Sequence, residues 1–195
     1  MSEEMYRKLK WVAVVVAILP IAWLVYEGFV PDREPGDVAA TAGDRAFADH
    51  HYERALEQYQ RALEQAPDHL HALRGKAATL TELGFHEDAV EIFTRYLEED
   101  PGFAGVYANR GIAYDRMGQY EEALRDYERA LILDPSVADG PGWLTKFLHI
   151  GPEGQPTIAD RAGYIRAQLA LPEEERVLSD PELDSAQRSY SQRAN

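Results

Sequence analysis

The sequence predicts an all-α protein with one N-terminal transmembrane helix, followed by a right-handed superhelix of three helix-turn-helix repeats and C-terminal capping helices. Three observations predict it. An apolar stretch fills residues 11–30, a pattern of small, aromatic and proline residues recurs every 34 positions, and an amphipathic stripe with helical spacing follows the last recurrence. The boundaries implied are an N-terminus at 1–10, a signal anchor at 11–30, a linker at 31–35, repeats at 36–137 (36–69, 70–103, 104–137), capping helices at 138–178 and a polar tail at 179–195.

The first element is read from length and flanks. About 20 predominantly apolar residues at ~1.5 Å rise reach across a hydrocarbon core of roughly 30 Å. Trp11, Trp23 and Tyr26 suit the interfaces, which places Glu27 at the outer boundary. Arg7, Lys8 and Lys10 precede the span while Asp32, Glu34 and Asp37 follow it, so the positive-inside rule puts the N-terminus in the cytoplasm. The expected localisation is therefore the inner (plasma) membrane, single-pass, with the repeats periplasmic or extracytoplasmic and the bilayer contacted through residues 11–30. A cleaved signal peptide is the competing reading. Its small-residue site, Ala40-Thr41-Ala42, lies too far beyond the apolar run.

The repeats are read from five columns: Gly43, Ala77, Gly111; Ala55, Ala89, Ala123; Tyr59, Phe93, Tyr127; Leu63, Leu97, Leu131; and Pro67, Pro101, Pro135. A small residue on each first helix lets the alanine of the second approach closely, because interaxial distance follows side-chain size. The aromatic fills the gap to the next repeat, and the proline stops the second helix, having no N–H and clashing with the preceding turn. Gly84 and Gly118 end first helices as left-handed caps.

This pattern resembles the tetratricopeptide-repeat (TPR) family. The third repeat carries it most fully, in Tyr107, Gly111, Tyr114, Gly118, Tyr120, Ala123, Tyr127, Ala130 and Pro135. The first repeat departs most, with Ala39 and Ala46 where the family prefers larger residues and no glycine at His50-His51. In such a stack the first helices line a concave surface able to hold an extended peptide or a helix. The resemblance thus implies a partner-binding face made of Arg74, Ala78, Thr81 and Glu82 in repeat two and Asn109, Ile112, Asp115 and Arg116 in repeat three, with Asp44 and Phe47 contributing from repeat one. Arg74, Asn109 and Arg116 partly fit the clamp that some family members close on a C-terminal carboxylate.

After Pro135, Gly140-Pro141-Gly142 interrupts the repeat. Trp143, Leu144, Phe147, Leu148 and Ile150 share one helical face, suited to a capping helix. A loop at 151–156 leads to Thr157, a box-like N-cap with Asp160, and then to a helix with Ile158, Ala162, Ile165 and Leu169 on one stripe. Leu171-Pro172-Glu173-Glu174-Glu175 reads as a further helix start.

Composition narrows the function. A net charge of -14, from 34 acidic and 20 basic residues, argues against nucleic acid, which needs clustered Lys and Arg. The absence of cysteine removes disulfides and thiolate metal sites. The six histidines, among them His50-His51, His69 and His71, lack the three- or four-residue spacing that a shared helical face requires. No nucleophile elbow or phosphate-binding loop is present. No catalytic residue, metal or cofactor is expected. The reading is a membrane-tethered scaffold that recruits or chaperones a protein or peptide partner for assembly of an envelope or membrane complex. The alternative is a permanent accessory subunit of a larger complex, and an enzyme centred on His149 or Trp143 comes third.

Overall fold

A computed structural model describes residues 3–29, 34–138 and 157–179. The chain divides into two compact units, 1–34 and 35–195. The first unit is a single helix, α1 (Glu3–Phe29), with Pro20 inside it. Among the described residues no helix is long and apolar enough to cross a membrane, which overturns the transmembrane assignment of 11–30. The physical reason is length. Lys10 and Glu27 bound the uncharged run at residues 11–26, which at ~1.5 Å per residue covers about 24 Å, short of the roughly 30 Å required. The single-pass inner-membrane localisation, and the bilayer contact it implied, are withdrawn with that span.

The second unit is a stack of helices: α2 (Asp37–Ala48), α3 (Tyr52–Gln65), α4 (Leu70–Leu83), α5 (His86–Glu99), α6 (Ala104–Arg116) and α7 (Tyr120–Leu133), then a 3₁₀ turn at Pro135–Ala138, α8 (Ile158–Leu169) and a 3₁₀ turn at Glu173–Glu175. The pairs α2/α3, α4/α5 and α6/α7 carry the 34-residue period. Each second helix ends two residues before its proline, with Ala66, Asp100 and Asp134 at the C-caps.

The columns do the packing work. Ala55, Ala89 and Ala123 are fully buried, as are Phe93 and Tyr127. A Cβ on Gly43 would stand 2.7 Å from the Tyr59 ring, and one on Gly111 2.7 Å from the Tyr127 ring, so these positions admit no side chain. Each aromatic gains roughly 1.5–3 kcal/mol from burial, which is the main return on pairing the helices. The turns between first and second helices need a left-handed residue. Gly84 (φ 87°) and Gly118 (φ 74°) supply it, and in repeat one His50 (φ 59°) takes the same position despite its side chain.

α8 closes the stack. Thr157 and Asp160 form a full capping box, the Thr157 N–H donating to Asp160 Oδ2 at 2.9 Å and the Asp160 N–H to Thr157 Oγ1 at 3.2 Å. The bond from the Thr157 N–H first, and then the one that the Thr157 hydroxyl donates to Asp160 Oδ2 at 2.8 Å, hold the Asp160 carboxyl below its ordinary range. The stripe Ile158, Ala162, Ile165 and Leu169 covers Ile112, Ala123 and Tyr127. Ala162 stands 51 residues after Gly111, 17 beyond the repeat step, so a helix from outside the period covers the end of the last repeat. The other expected capping residues, Trp143, Leu144, Phe147, Leu148 and Ile150, the loop at 151–156 and the tail beyond Ser179 lie outside the described residues.

Candidate functional site

The first helices α2, α4 and α6 carry all the residues expected on the concave face. Arg74 is half-buried, its guanidinium 4.9 Å from the Phe103 ring centroid, a stacking that holds the cation in one place. Ala78 packs at the edge of the cluster containing Leu73 and Leu80. Thr81 is buried and donates its hydroxyl hydrogen to the Ala77 carbonyl at 3.0 Å. Arg116 donates from Nη1 to the Thr81 carbonyl at 2.9 Å and lies 3.6 Å from the Glu82 carboxylate, which ties α6 to α4. Asn109 and Ile112 are each 2% exposed. Ile112 and Asp115 lie under α8, where Asp115 meets Arg161. Phe47 packs edge-on to Tyr52, with centroids 5.4 Å apart.

At the repeat-one end, Asp44 accepts from the Tyr59 hydroxyl at 2.7 Å and lies 3.0 Å from His71 Nε2. Burial alone would raise the Asp44 pKa, but the bonds to His71 and Tyr59 outweigh it and hold the carboxyl below its ordinary range. The same surroundings push the Tyr59 phenol well up, through burial first and the Asp44 carboxylate second. His69 caps α4 by accepting from the Ala72 N–H at Nδ1, so its Nε2 carries the proton and donates to Asp37 at 3.0 Å. His50 contacts the Tyr52 hydroxyl at 2.9 Å. His86 has its pKa lowered, by desolvation and then by the Arg116 charge. Among the described residues no group of three or more His, Asp and Glu side chains is placed to hold a metal ion.

Two buried pairs have no counterpart in the sequence reading. Arg110 grips Asp126 with two bonds, 2.7 and 2.9 Å, and donates to Thr94 Oγ1 at 3.0 Å. Desolvation works against the Arg110 charge, yet the Asp126 bonds and charge raise its pKa. Arg161 of α8 grips Asp115 of α6 at 2.7 and 2.6 Å, both side chains being 2% exposed, and the Tyr127 hydroxyl donates to the same carboxylate at 3.1 Å. Neither pair follows a helical spacing, since 16 and 46 residues separate the partners. The available signal was the polar residue Arg161 beside an otherwise apolar stripe. Gly75, whose Cβ would strike the Tyr59 ring, belongs to no repeat column and carries no signal in the sequence.

Beyond α8 the chain turns back along it. Arg176 donates to the carbonyls of Leu171 (3.0 Å) and Leu169 (3.3 Å), the Val177 N–H donates to Gln168 Oε1 at 2.8 Å, and the Tyr164 hydroxyl donates to the Val177 carbonyl. Arg161 Nη2 then donates to the Leu178 carbonyl at 3.2 Å.

Two family models described as tetratricopeptide repeat match the chain, one over residues 41–102 and one over 104–137. No curated protein matches it. Among solved structures, the first TPR of Spaghetti (RPAP3) bound to HSP90 peptide SRMEEVD is 20% identical, with a TM-score of 0.57 over 72% of this chain and 97% of that one. The TPR2B domain of yeast Sti1, solved as a pHsp70 complex, is 21% identical, with a TM-score of 0.55 over 70% of this chain and 99% of that one. The second TPR of Spaghetti (RPAP3), with the same HSP90 peptide, is 25% identical, with a TM-score of 0.50 over 52% of this chain and 94% of that one. These likenesses show the fold.

Proposed function

Taking as premise that residues 41–102 and 104–137 are tetratricopeptide repeats, we propose that the chain is a protein-interaction scaffold whose concave face holds an extended peptide segment of a partner protein. The observation that carries this reading is the pair of arginines fixed on neighbouring first helices. Arg74 is stacked on Phe103 and Arg116 is hydrogen-bonded to the Thr81 carbonyl. Guanidiniums already ordered in the free protein lose little side-chain entropy when they bind a carboxylate or a peptide carbonyl. Peptide-bound relatives with this fold, named above, add support. The partner acts through its segment, and the scaffold supplies position rather than chemistry.

Peptides selected by display on the full chain test the reading. Replacing Arg74 and Arg116 together with Ala removes at least one charge-assisted bond, worth about 1.5–3 kcal/mol, and weakens the selected peptides roughly tenfold or more. Glu121→Gln with Glu122→Gln, at the start of α7, leaves affinity unchanged. Titration by fluorescence anisotropy reads both. Selected peptides that bind the arginine double mutant as tightly as the parent chain would place recognition elsewhere.

A further inference from the structure

His86 opens α5 where three helices meet. The helix starts without a side-chain cap, since Phe85 stands at the N-cap position. α4 presents Glu82, α6 presents Arg116 and α5 itself presents Glu87, and these are the charges that act on the ring. Arg116 is already engaged there: it lies 3.6 Å from the Glu82 carboxylate and donates to the Thr81 carbonyl at 2.9 Å. The imidazole has one enclosed edge. His86 Nδ1 is buried with no hydrogen-bond partner among the described residues, although the residue as a whole is half-buried. An enclosed lone pair without a donor costs less than an enclosed N–H without an acceptor, so the neutral ring keeps its proton on Nε2.

Charging the ring reverses that economy. The second proton goes onto Nδ1 and makes an enclosed, charged donor with nothing to receive it. The new cation also stands in the first turn of a helix, where the macrodipole opposes it, and near the Arg116 guanidinium. Desolvation first and the Arg116 charge second hold the His86 pKa below its ordinary value, against the pull of Glu87 and Glu82. A charged ring is relieved by leaving its place for a carboxylate. Glu87 is its sequence neighbour, and adjacent helical residues do not face each other. The Glu82 side chain, 17% exposed, is the less screened of the two. We infer that His86 is an acid-operated latch on Arg116: once protonated, its ring leaves its place and competes for the Glu82 carboxylate, loosening the arginine that ties α6 to α4. The consequence rests on the peptide-binding reading above and adds its regulation, because one of the two ordered arginines of the face loses its anchor as pH falls. The unfolded chain takes up the His86 proton first, so the stability held by the neutral ring is full above about pH 6.5 and is lost as pH falls through the folded pKa.

In the full chain, isotope-labelled on histidine and arginine, His86 is assigned by its loss in His86→Gln and Arg116 by its loss in Arg116→Lys. Both are followed by NMR from about pH 7.5 to about pH 5, the range in which imidazoles gain charge. Rotation of the Arg116 guanidinium about its Nε–Cζ bond is slow while its Nη atoms are held. We expect it to accelerate about tenfold, as for the loss of one bond to a charged group, with the same midpoint as His86, and to stay slow in His86→Gln. Urea unfolding over the same range shows a smaller acid loss in His86→Gln than in the parent. Glu82→Gln, which leaves no carboxylate to compete for, gives fast rotation already at neutral pH and no further rise. Slow Arg116 rotation throughout in the parent, or the same acceleration in His86→Gln, overturns the inference. Display-selected peptides separate it from the reading it rests on. If they depend on Arg116 and bind equally at both ends of the range while Arg116 stays slow, the latch falls and the peptide face survives. If Arg116 follows His86 but no selected peptide depends on Arg74 or Arg116, the latch stands and the peptide face falls.

Discussion

Repeats one and three share the same packing columns but are closed by different chemistry. Repeat one joins repeat two through Asp37–His69 and Asp44–His71, contacts with at least one partly exposed partner and an imidazole that forms an ion pair only when protonated. Repeat three joins α8 through Asp115–Arg161, a pair built on a guanidinium and withdrawn from water on both sides. The alanine, aromatic and proline columns thus define the helix pair, and the polar contacts set how firmly each end is shut. A buried pair adds little net stability over an apolar substitute but breaks at high cost, whereas a half-exposed one is screened and yields gently.

The largest expected effect follows from that asymmetry. Arg161→Ala strands the Asp115 carboxylate among Ile112, Tyr127 and Ile165 and lowers stability by about 3–5 kcal/mol, read as the shift in urea unfolding free energy. Combining it with Asp115→Leu restores most of the loss, since both charges are then gone. Asp37→Ala, at the opposite end, costs no more than about 1 kcal/mol. Equal losses at the two ends would break the comparison.

Where the columns are identical, the two repeats should respond alike. Ala123→Leu and Ala55→Leu each force a larger side chain into a fully buried contact, at a cost of about 1–3 kcal/mol, measured by thermal unfolding. A change at Ala123 that left melting unaffected would count against the register itself.

The contrast also shows what a sequence discloses. The repeat was legible because a helix-pair contact is decided by residue size at fixed spacing, and Gly111 against Tyr127 leaves no alternative. The α8 stripe and its Thr157 cap were legible for the same local reason. The Asp115–Arg161 pair was not, because its partner arrives from beyond the interruption at 140–142 and no local rule links positions 46 apart. Concave-face candidates chosen by register alone could not register that α8 would cover Ile112 and Asp115 while Arg74 and Arg116 stay fixed on α4 and α6. The span at 11–30 failed on arithmetic: counting through Glu27 to Val30 gave a crossing length that the uncharged run does not have.

The smallest effect concerns the turn, where the repeats differ by one residue type at one backbone conformation. His50 holds φ 59° where Gly118 holds φ 74°. A left-handed residue with a Cβ costs about 1–2 kcal/mol, less for His, which adopts it more readily than most. His50→Gly relieves that strain but gives back about 0.5–1 kcal/mol in the entropy of the unfolded chain, and it loses an exposed contact to the Tyr52 hydroxyl. The net gain should therefore be at most about 0.5 kcal/mol. The reverse change is not symmetrical. Gly118→Ala meets no neighbour closer than the Tyr120 ring at 3.9 Å, so crowding is not the obstacle, yet it forces a Cβ into the left-handed region and should destabilise by about 1 kcal/mol. Differential scanning calorimetry on the two single variants reads both signs. A loss on His50→Gly would mean that its side chain holds the turn through Tyr52, and repeat one would then be a repeat with its own turn chemistry rather than a worn copy of repeat three.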